Sequence, residues 1–173
     1  MIQSFNGKVP WIADSAFVSK AAHVIGDVAI GENCVVMPGA VIRGDFGKIT
    51  IGANTIVEDN CVIHSGSLTE VRDIVIGRDV VIGHGAVNHA RKVGNNVLIG
   101  INAVLLHDSE VGDSSIIAAG AVVKQEAKIP PRSFVAGVPG KVKKKVSSEQ
   151  LEWMELGARV YMELAKQYKE EGF

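Results

Sequence analysis

Aliphatic residues recur along this chain at steps of six, and most are followed by Gly or another small residue: Ile30-Gly31, Val36, Ile42, Ile51-Gly52, Val57, Ile63, Ile76-Gly77, Ile82-Gly83, Val93-Gly94, Ile99-Gly100 and Leu105. From Val93 through Val111, Ile117, Val123 and Ile129 to Val135 the step never breaks. Four places after most of these stands a second small or β-branched residue, among them Cys34, Ala40, Thr55, Cys61, Val80, Ala86, Val97, Ala103, Ser115 and Ala121. Only a narrow interior needs small residues so regularly. A fixed short period predicts a solenoid, and a period of six predicts a parallel β-helix in which three hexapeptides close one triangular coil. Each aliphatic residue then stacks on its counterpart roughly eighteen residues away and fills the axis. A β-sandwich of short strands is the competing reading, but it gives no reason for a six-residue register to persist through so many turns.

The pattern divides a single domain, residues 1–173, into three parts. Residues 1–17 form a leading segment, with Pro10 and Trp11 expected to cover the open end of the solenoid. The coils run over residues 18–142. Residues 147–170 are predicted as a helix, because Ser147 or Ser148 can cap it and Leu151, Met154, Ala158, Tyr161, Leu164, Ala165 and Tyr168 mark one apolar stripe at helical spacing. Such a helix is expected to pack along the solenoid. Lys141, Lys143, Lys144 and Lys145 before it read as a solvated linker rather than a nucleic-acid patch. Two insertions interrupt the step: Gly44 to Lys48, expected to bulge from a corner, and Ser65 to Asp73, expected to project as a loop. Insertions in repeat proteins generally emerge on the working face.

Composition narrows the class of function. Nearly half the residues are apolar but only 5% are aromatic, so Val, Ile, Gly and Ala carry the core. The formal net charge of −1 favours neither a polyanion nor a membrane surface as partner. No apolar run approaches a membrane span, and the start, MIQSFNGKVPWIADSAF, lacks the basic segment and apolar stretch of a signal peptide, so a cytoplasmic location is expected. Cys34 and Cys61 occupy small-residue slots without CxxC spacing and read as reduced core thiols.

The chemistry rests on His64, His84 and His89, all inside the repeat, with His64 directly before the longer insertion. Neutral imidazole is the commonest protein ligand for zinc, and three such ligands plus one open position describe a catalytic rather than a structural site. Taken singly, each is more often structural than a ligand; His23 and His107 read as corner or packed-surface residues of the repeat.

Across nearly its whole length the chain resembles the γ-class carbonic anhydrases and their hexapeptide-repeat relatives. The resemblance is carried by RGD at Arg43-Gly44-Asp45, VEDNCVIH ending at His64, IGHGAVNH with His84 and His89, GVPGKV from Gly137, and a final helix with Glu152-Trp153 and Tyr161. The three histidines with RGD upstream are specific; GVPGKV is shared with many hexapeptide acyltransferases. The resemblance implies an all-β solenoid that is a left-handed parallel β-helix with a C-terminal α-helix, assembled as a homotrimer. It also implies Zn2+, with Fe2+ or Co2+ accepted by the same imidazoles, between subunits: His64 and His89 from one chain and His84 from its neighbour. Geometry fits this, since five residues of extended strand span roughly 16 Å, too far for His84 and His89 of one chain to approach one ion at about 2 Å. The implied reaction is hydration of carbon dioxide to bicarbonate by a metal-activated hydroxide. Arg43 and Asp45 match a family pair that forms a salt bridge across the subunit contact.

The departures bear on activity. Glu58 stands where most relatives carry Gln facing the metal-bound water, and Ile56 where they often carry Asn. A carboxylate there can accept the water's proton or hydrogen bond, yet its charge opposes ionisation of that water. The loop SGSLTEVRD is not the longer acidic loop of active members: Ser67 stands near their proton-shuttling glutamate, Phe46 replaces an acid, and Glu70 can substitute only if the loop folds back. Two other readings share the scaffold: an acyltransferase or acyl-CoA thioesterase with one histidine as general base, and a non-catalytic metal-binding relative.

Overall fold

A computed structural model of the chain describes residues 1–66 and 70–172. They form a parallel β-solenoid of about seven turns, a left-handed β-helix, followed by the helix Ser148–Glu170. The inward positions are those the six-residue step marks: Ile30, Ile42, Ile51, Ile63, Ile76, Ile82, Ile99, Leu105 and Ile117 are fully buried along the axis. Corners need backbone turned into the left-handed region, which Gly adopts freely and Asn or Asp tolerate. One corner column accordingly carries Asn33, Asn54, Asp79, Asn96 and Ser114 with φ between 52° and 59°. Its side chains also bond from coil to coil, Asn33 Nδ2 to Asn54 Oδ1 at 3.2 Å and Asn54 Nδ2 to Asp79 Oδ1 at 2.9 Å.

The three faces differ in what they turn outward. On the first, Phe17, Val35, Ile56, Val81, Leu98, Ile116 and Phe134 stack in register, and the C-terminal helix lies over this apolar column. Ser147 caps that helix by accepting from the Gln150 amide, and Gln150 returns the bond in a capping box. On the second face the outward column is Val41, Val62, Val87, Val104 and Val122, headed by His23. All five valines are partly exposed and no described element covers them. On the third face the column turns polar, ending in Lys92, Glu110 and Lys128. One chain thus has a helix-covered face, a water-facing face and a bare apolar face.

Two segments differ from the sequence expectation, and one insertion follows it. Within the strand Val41–Ile51, Val41 to Gly44 pair with His23 to Gly26 and Ile49 to Ile51 with Val28 to Ile30, so Asp45 to Lys48 stand opposite Asp27 alone and form the expected bulge. Two glycines permit that pairing: a Cβ on Gly26 would meet the Gly44 carbonyl oxygen at 2.5 Å, and one on Gly44 would meet the Asp27 oxygen at 2.4 Å. Trp11 does not cover the solenoid end; it sits in the strand Trp11–Ile12 paired with His23–Ile30 and is 61% exposed. Lys141–Lys145 is no linker but a strand antiparallel to Ser133–Ala136, where exposed lysines guard the sheet's last edge against further pairing.

Asn88 breaks the apolar axis. It occupies the inward slot between Ile63 and Leu105, fully buried, and neither its Nδ2 nor its Oδ1 has a hydrogen-bond partner among the described residues. An unpaired buried amide costs about 1–3 kcal/mol. Asn88→Leu should therefore raise the thermal and urea midpoints, worth about 1–3 kcal/mol in stability, since Leu105 shows that leucine fits the column. A lowered midpoint would show that the amide is paired in solution.

Candidate functional site

The two edges of the valine face carry the candidate residues. At the edge shared with the charged face, His64 ends the strand Val62–His64, and His89 follows Val87–Asn88 one coil further along. Their rings meet edge to face with centroids 5.4 Å apart. His107 continues the column, its ring centroid 4.3 Å from that of His89. The sequence marks this fourth imidazole as a corner or packed-surface residue, which it is; its place against His89 follows from a spacing of eighteen residues, about one coil.

Asp45 binds this corner together. Its Oδ1 lies 2.8 Å from His64 Nε2, and its Oδ2 accepts from Arg43. Arg43 and Asp45 are thus paired within one chain. Burial works to raise the Asp45 carboxyl, but the hydrogen bonds from His64 and Arg43 outweigh it and hold the group below its ordinary range. With one ring nitrogen of His64 engaged by a carboxylate, the other is oriented as a lone pair, the arrangement usual for metal-ligating histidine. Phe46 packs on His64 with centroids 5.8 Å apart. Glu70 does not fold back to this corner: it pairs with Arg72, whose Nη1 also reaches Asp108 at 2.9 Å. Ser67 lies outside the described residues.

His89 shows the clearest sign of a missing partner. Its Nδ1 is buried without a hydrogen bond among the described residues. Burial first, then the neighbouring His107 and His64, pushes its pKa down to about 4, so the ring is neutral at pH 7. Neutral imidazole with an unsatisfied nitrogen fits a metal ligand. The sign for stability follows. The unfolded chain takes up this proton below pH 6.5 and the folded chain only near pH 4, so metal-free protein should lose stability as pH falls from 6.5 to about 4. The loss from this group is at most about 3 kcal/mol, less for the half-buried ring. Urea titrations of metal-free parent and His89→Gln across this range check it, since the variant should lack this part of the slope.

The opposite edge of the valine face carries Glu58, Asp59 and His84. Asp59 Oδ2 lies 2.9 Å from His84 Nδ1, and Glu58 Oε2 lies 3.1 Å from His84 Nε2. Glu58 is 6% exposed and also accepts the His84 backbone N–H at 2.9 Å. Tyr161, from the C-terminal helix, hydrogen-bonds Glu58; burial and then that carboxylate drive its phenol well above the ordinary value. Within one chain, therefore, His64 and His89 come together and His84 does not. Among the described residues no three His, Cys, Asp or Glu side chains converge as a metal site in a single chain. Ile56, expected near the site, is fully buried under the C-terminal helix. Cys34 and Cys61 are free and buried, and burial pushes both thiols up to about 11, which leaves them inert. Among the described residues no helix is long and apolar enough to cross a membrane.

Beside Glu58 and His84 opens a cavity of about 800 Å³ between the coil corners and the helix, lined mostly by apolar groups that include Leu98, Ile101, Ile116, Trp153 and Met154.

Comparison with known proteins places these features in context. The family profile described as bacterial transferase hexapeptide (six repeats) matches residues 10–44 and 92–125. The carnitine operon protein CaiE of Escherichia coli K12 is 33% identical over 161 residues, covering 93% of this chain and 81% of CaiE. CaiE of Citrobacter koseri is 35% identical over 162 residues, covering 94% and 81%. Among solved structures, a Bacillus cereus protein described as a putative acetyltransferase superposes with a TM-score of 0.89 at 31% identity, over 98% of this chain and 96% of the other. A hexapeptide transferase family protein from Anaplasma phagocytophilum gives 0.90 at 31%, over 96% and 97%.

Proposed function

The chain belongs to the family of hexapeptide-repeat proteins that includes CaiE, and from that premise we propose that it is a small-molecule enzyme working as a trimer, its active centre lying between copies. The observation that carries this reading is the bare valine column flanked by two half-sites. Three copies gathered by these columns about one axis set the His64–His89 edge of each against the His84 edge of the next, a head-to-tail contact that closes.

The chemistry the geometry supports best is nucleophilic attack on carbon dioxide. His64 and His89, with His84 of the partner subunit, would hold a divalent ion, Zn2+ with Fe2+ or Co2+ as alternatives, which would supply Lewis acidity that makes a water ionisable near neutral pH. Asp45 fixes the His64 ring through Nε2 and Asp59 the His84 ring through Nδ1, while Nε2 of His84 faces Glu58 in the single chain. Arg43 keeps Asp45 charged for that task. Glu58, beside His84 Nε2, is placed to accept a proton or hydrogen bond from the nucleophile.

A second reading is favoured by the apolar cleft and by the transferase family itself: transfer or hydrolysis of an acyl group carried as a coenzyme A thioester. Here Asp59 orients His84 through Nδ1, and Nε2 takes the proton of the attacking hydroxyl, amine or water. The geometry speaks for the first reading and the comparisons more for the second. One preparation separates them. Protein purified anaerobically should carry about one divalent ion per chain and hydrate carbon dioxide until the ion is chelated. Metal-free protein that turns over acyl thioesters and leaves carbon dioxide untouched would establish the second reading instead.

A further inference from the structure

The formal net charge of −1 hides an uneven distribution. Residues 124–145 carry seven cations, Lys124, Lys128, Arg132, Lys141, Lys143, Lys144 and Lys145, against one carboxylate, Glu126. The fold gathers them at one end. Val122–Val123 and Lys128–Ile129 are the last strands of two faces, and Lys141–Lys145 closes the third beyond Ser133–Ala136, so cations surround the last coil on every side. All seven are exposed, and among the described residues none forms an ion pair, whereas most cations elsewhere do, Lys8 with Asp27 and Arg78 with Asp79 among them. The helix leaves this end open: it starts over Ile116 and Phe134 and runs back along the first face to Phe17, where Tyr168 stacks. Between the cations the turn at residues 137–140 presents Val138, 73% exposed, and Val142 is 50% exposed within the lysine strand. Guarding a free edge accounts for lysines on that strand, but the opposite end shows that edges here do without charge, since its strands Ile2–Gln3 and Trp11–Ile12 carry none.

We propose that this end of the solenoid docks on a bilayer surface rich in anionic lipid headgroups. Clusters of about four to eight Lys and Arg are enough to hold a protein to such a surface. The details favour a bilayer over other polyanions. Six of the seven cations are lysines, compact charges on flexible stems that suit diffuse headgroups, whereas fixed phosphates are matched better by the arginine fork. Val138 and Val142 stand among them as apolar tips able to enter the headgroup region. Phe134, the aromatic ring of this end, is half-buried with Lys144 Nζ 5.3 Å from its centroid, so it gives nucleic-acid bases no platform to stack on. The inference is independent of the reaction at the histidines. In the proposed assembly, rotation about an axis along the solenoids leaves all three basic ends facing one way, so one surface can meet all of them.

The test is co-flotation of the full chain with vesicles of phosphatidylcholine alone or with about one third phosphatidylglycerol. The anionic vesicles should be bound at least about a hundredfold more tightly, and raising salt from about 0.05 to about 0.5 M should release the protein. Lys141→Gln, Lys143→Gln and Lys145→Gln together should weaken binding by about a hundredfold, each lysine being worth about fivefold. Lys124→Gln with Lys128→Gln, which leaves the edge strand untouched, should weaken it by about twentyfold. Lys8→Gln with Lys20→Gln, remote from this end, should change nothing. Sedimentation of the variants without vesicles should match the parent. Equal binding to both kinds of vesicle, or to neither, would overturn the proposal, as would undiminished binding in both sets of end variants. Tighter binding to a duplex oligonucleotide or to polyglutamate than to the anionic vesicles, at matched charge and salt, would assign this end to a nucleic acid or an acidic protein and overturn it too.

Discussion

Val87→Glu should convert the proposed assembly of three copies into single chains. Val87 lies in the middle of the outward column, between Val62 and Val104, and its side chain takes no part in the axis of its own coil. The fold of one chain should accordingly survive the change. In the assembly, however, a carboxylate would enter an apolar contact in all three copies, and each uncompensated buried charge costs several kcal/mol. Sedimentation should show one species near the mass of a single 18.3 kDa chain, with an unchanged far-UV spectrum. The same substitution at Glu110's neighbour on the charged face, Lys128→Glu, should leave assembly intact, since that column faces water. A Val87→Glu protein that still sediments as the parent would place the contact elsewhere.

Loss of metal is the second large effect. His89→Ala removes the proposed ligand with the unsatisfied buried nitrogen, and His84→Ala removes the proposed ligand between Glu58 and Asp59. Neither lies on the axis, so the coils should persist while affinity for Zn2+ or Co2+ falls by at least about a hundredfold, more than the loss typical of an outer-shell change. His107 cannot serve as an indifferent control, because its ring lies against that of His89. Nor can His23, which heads the valine column; Lys128→Glu, on the water-facing column, can. Competition with a chromophoric chelator reads both affinities directly.

How much of this was legible in the sequence depends on what each feature needs. The inward aliphatics declare themselves because each coil repeats the same demand, and the helix stripe from Leu151 to Tyr168 does so for the same reason. Asn88 hides in that pattern: where the step of six from Ile82 arrives, an amide stands, so the apolar run breaks although the backbone continues. The bulge of Asp45 to Lys48 was legible as a break in the six-residue step, while the strand pairing on either side of it depends on the neighbouring strand His23–Ile30 and was not. The lysines of Lys141–Lys145 read as solvated, and they are; that their backbone closes a sheet depends on the turn through Gly137 to Gly140. The three histidines were legible as residues, and their division between two edges follows from the triangular coil. As part of the site His107 was not, nor was the cleft, since the first departs from the family motif and the second exists only once the helix lies against the coils.

Mixed assemblies would reveal whether the site is divided between copies. His84→Ala and His89→Ala chains, each expected to bind almost no metal alone, can be produced together in equal amounts. If sites form between neighbours, roughly one junction in four pairs an intact His64–His89 edge with an intact His84 edge, and about a quarter of the parent's metal should return. Mixed assemblies as empty as either variant alone would contradict a shared site.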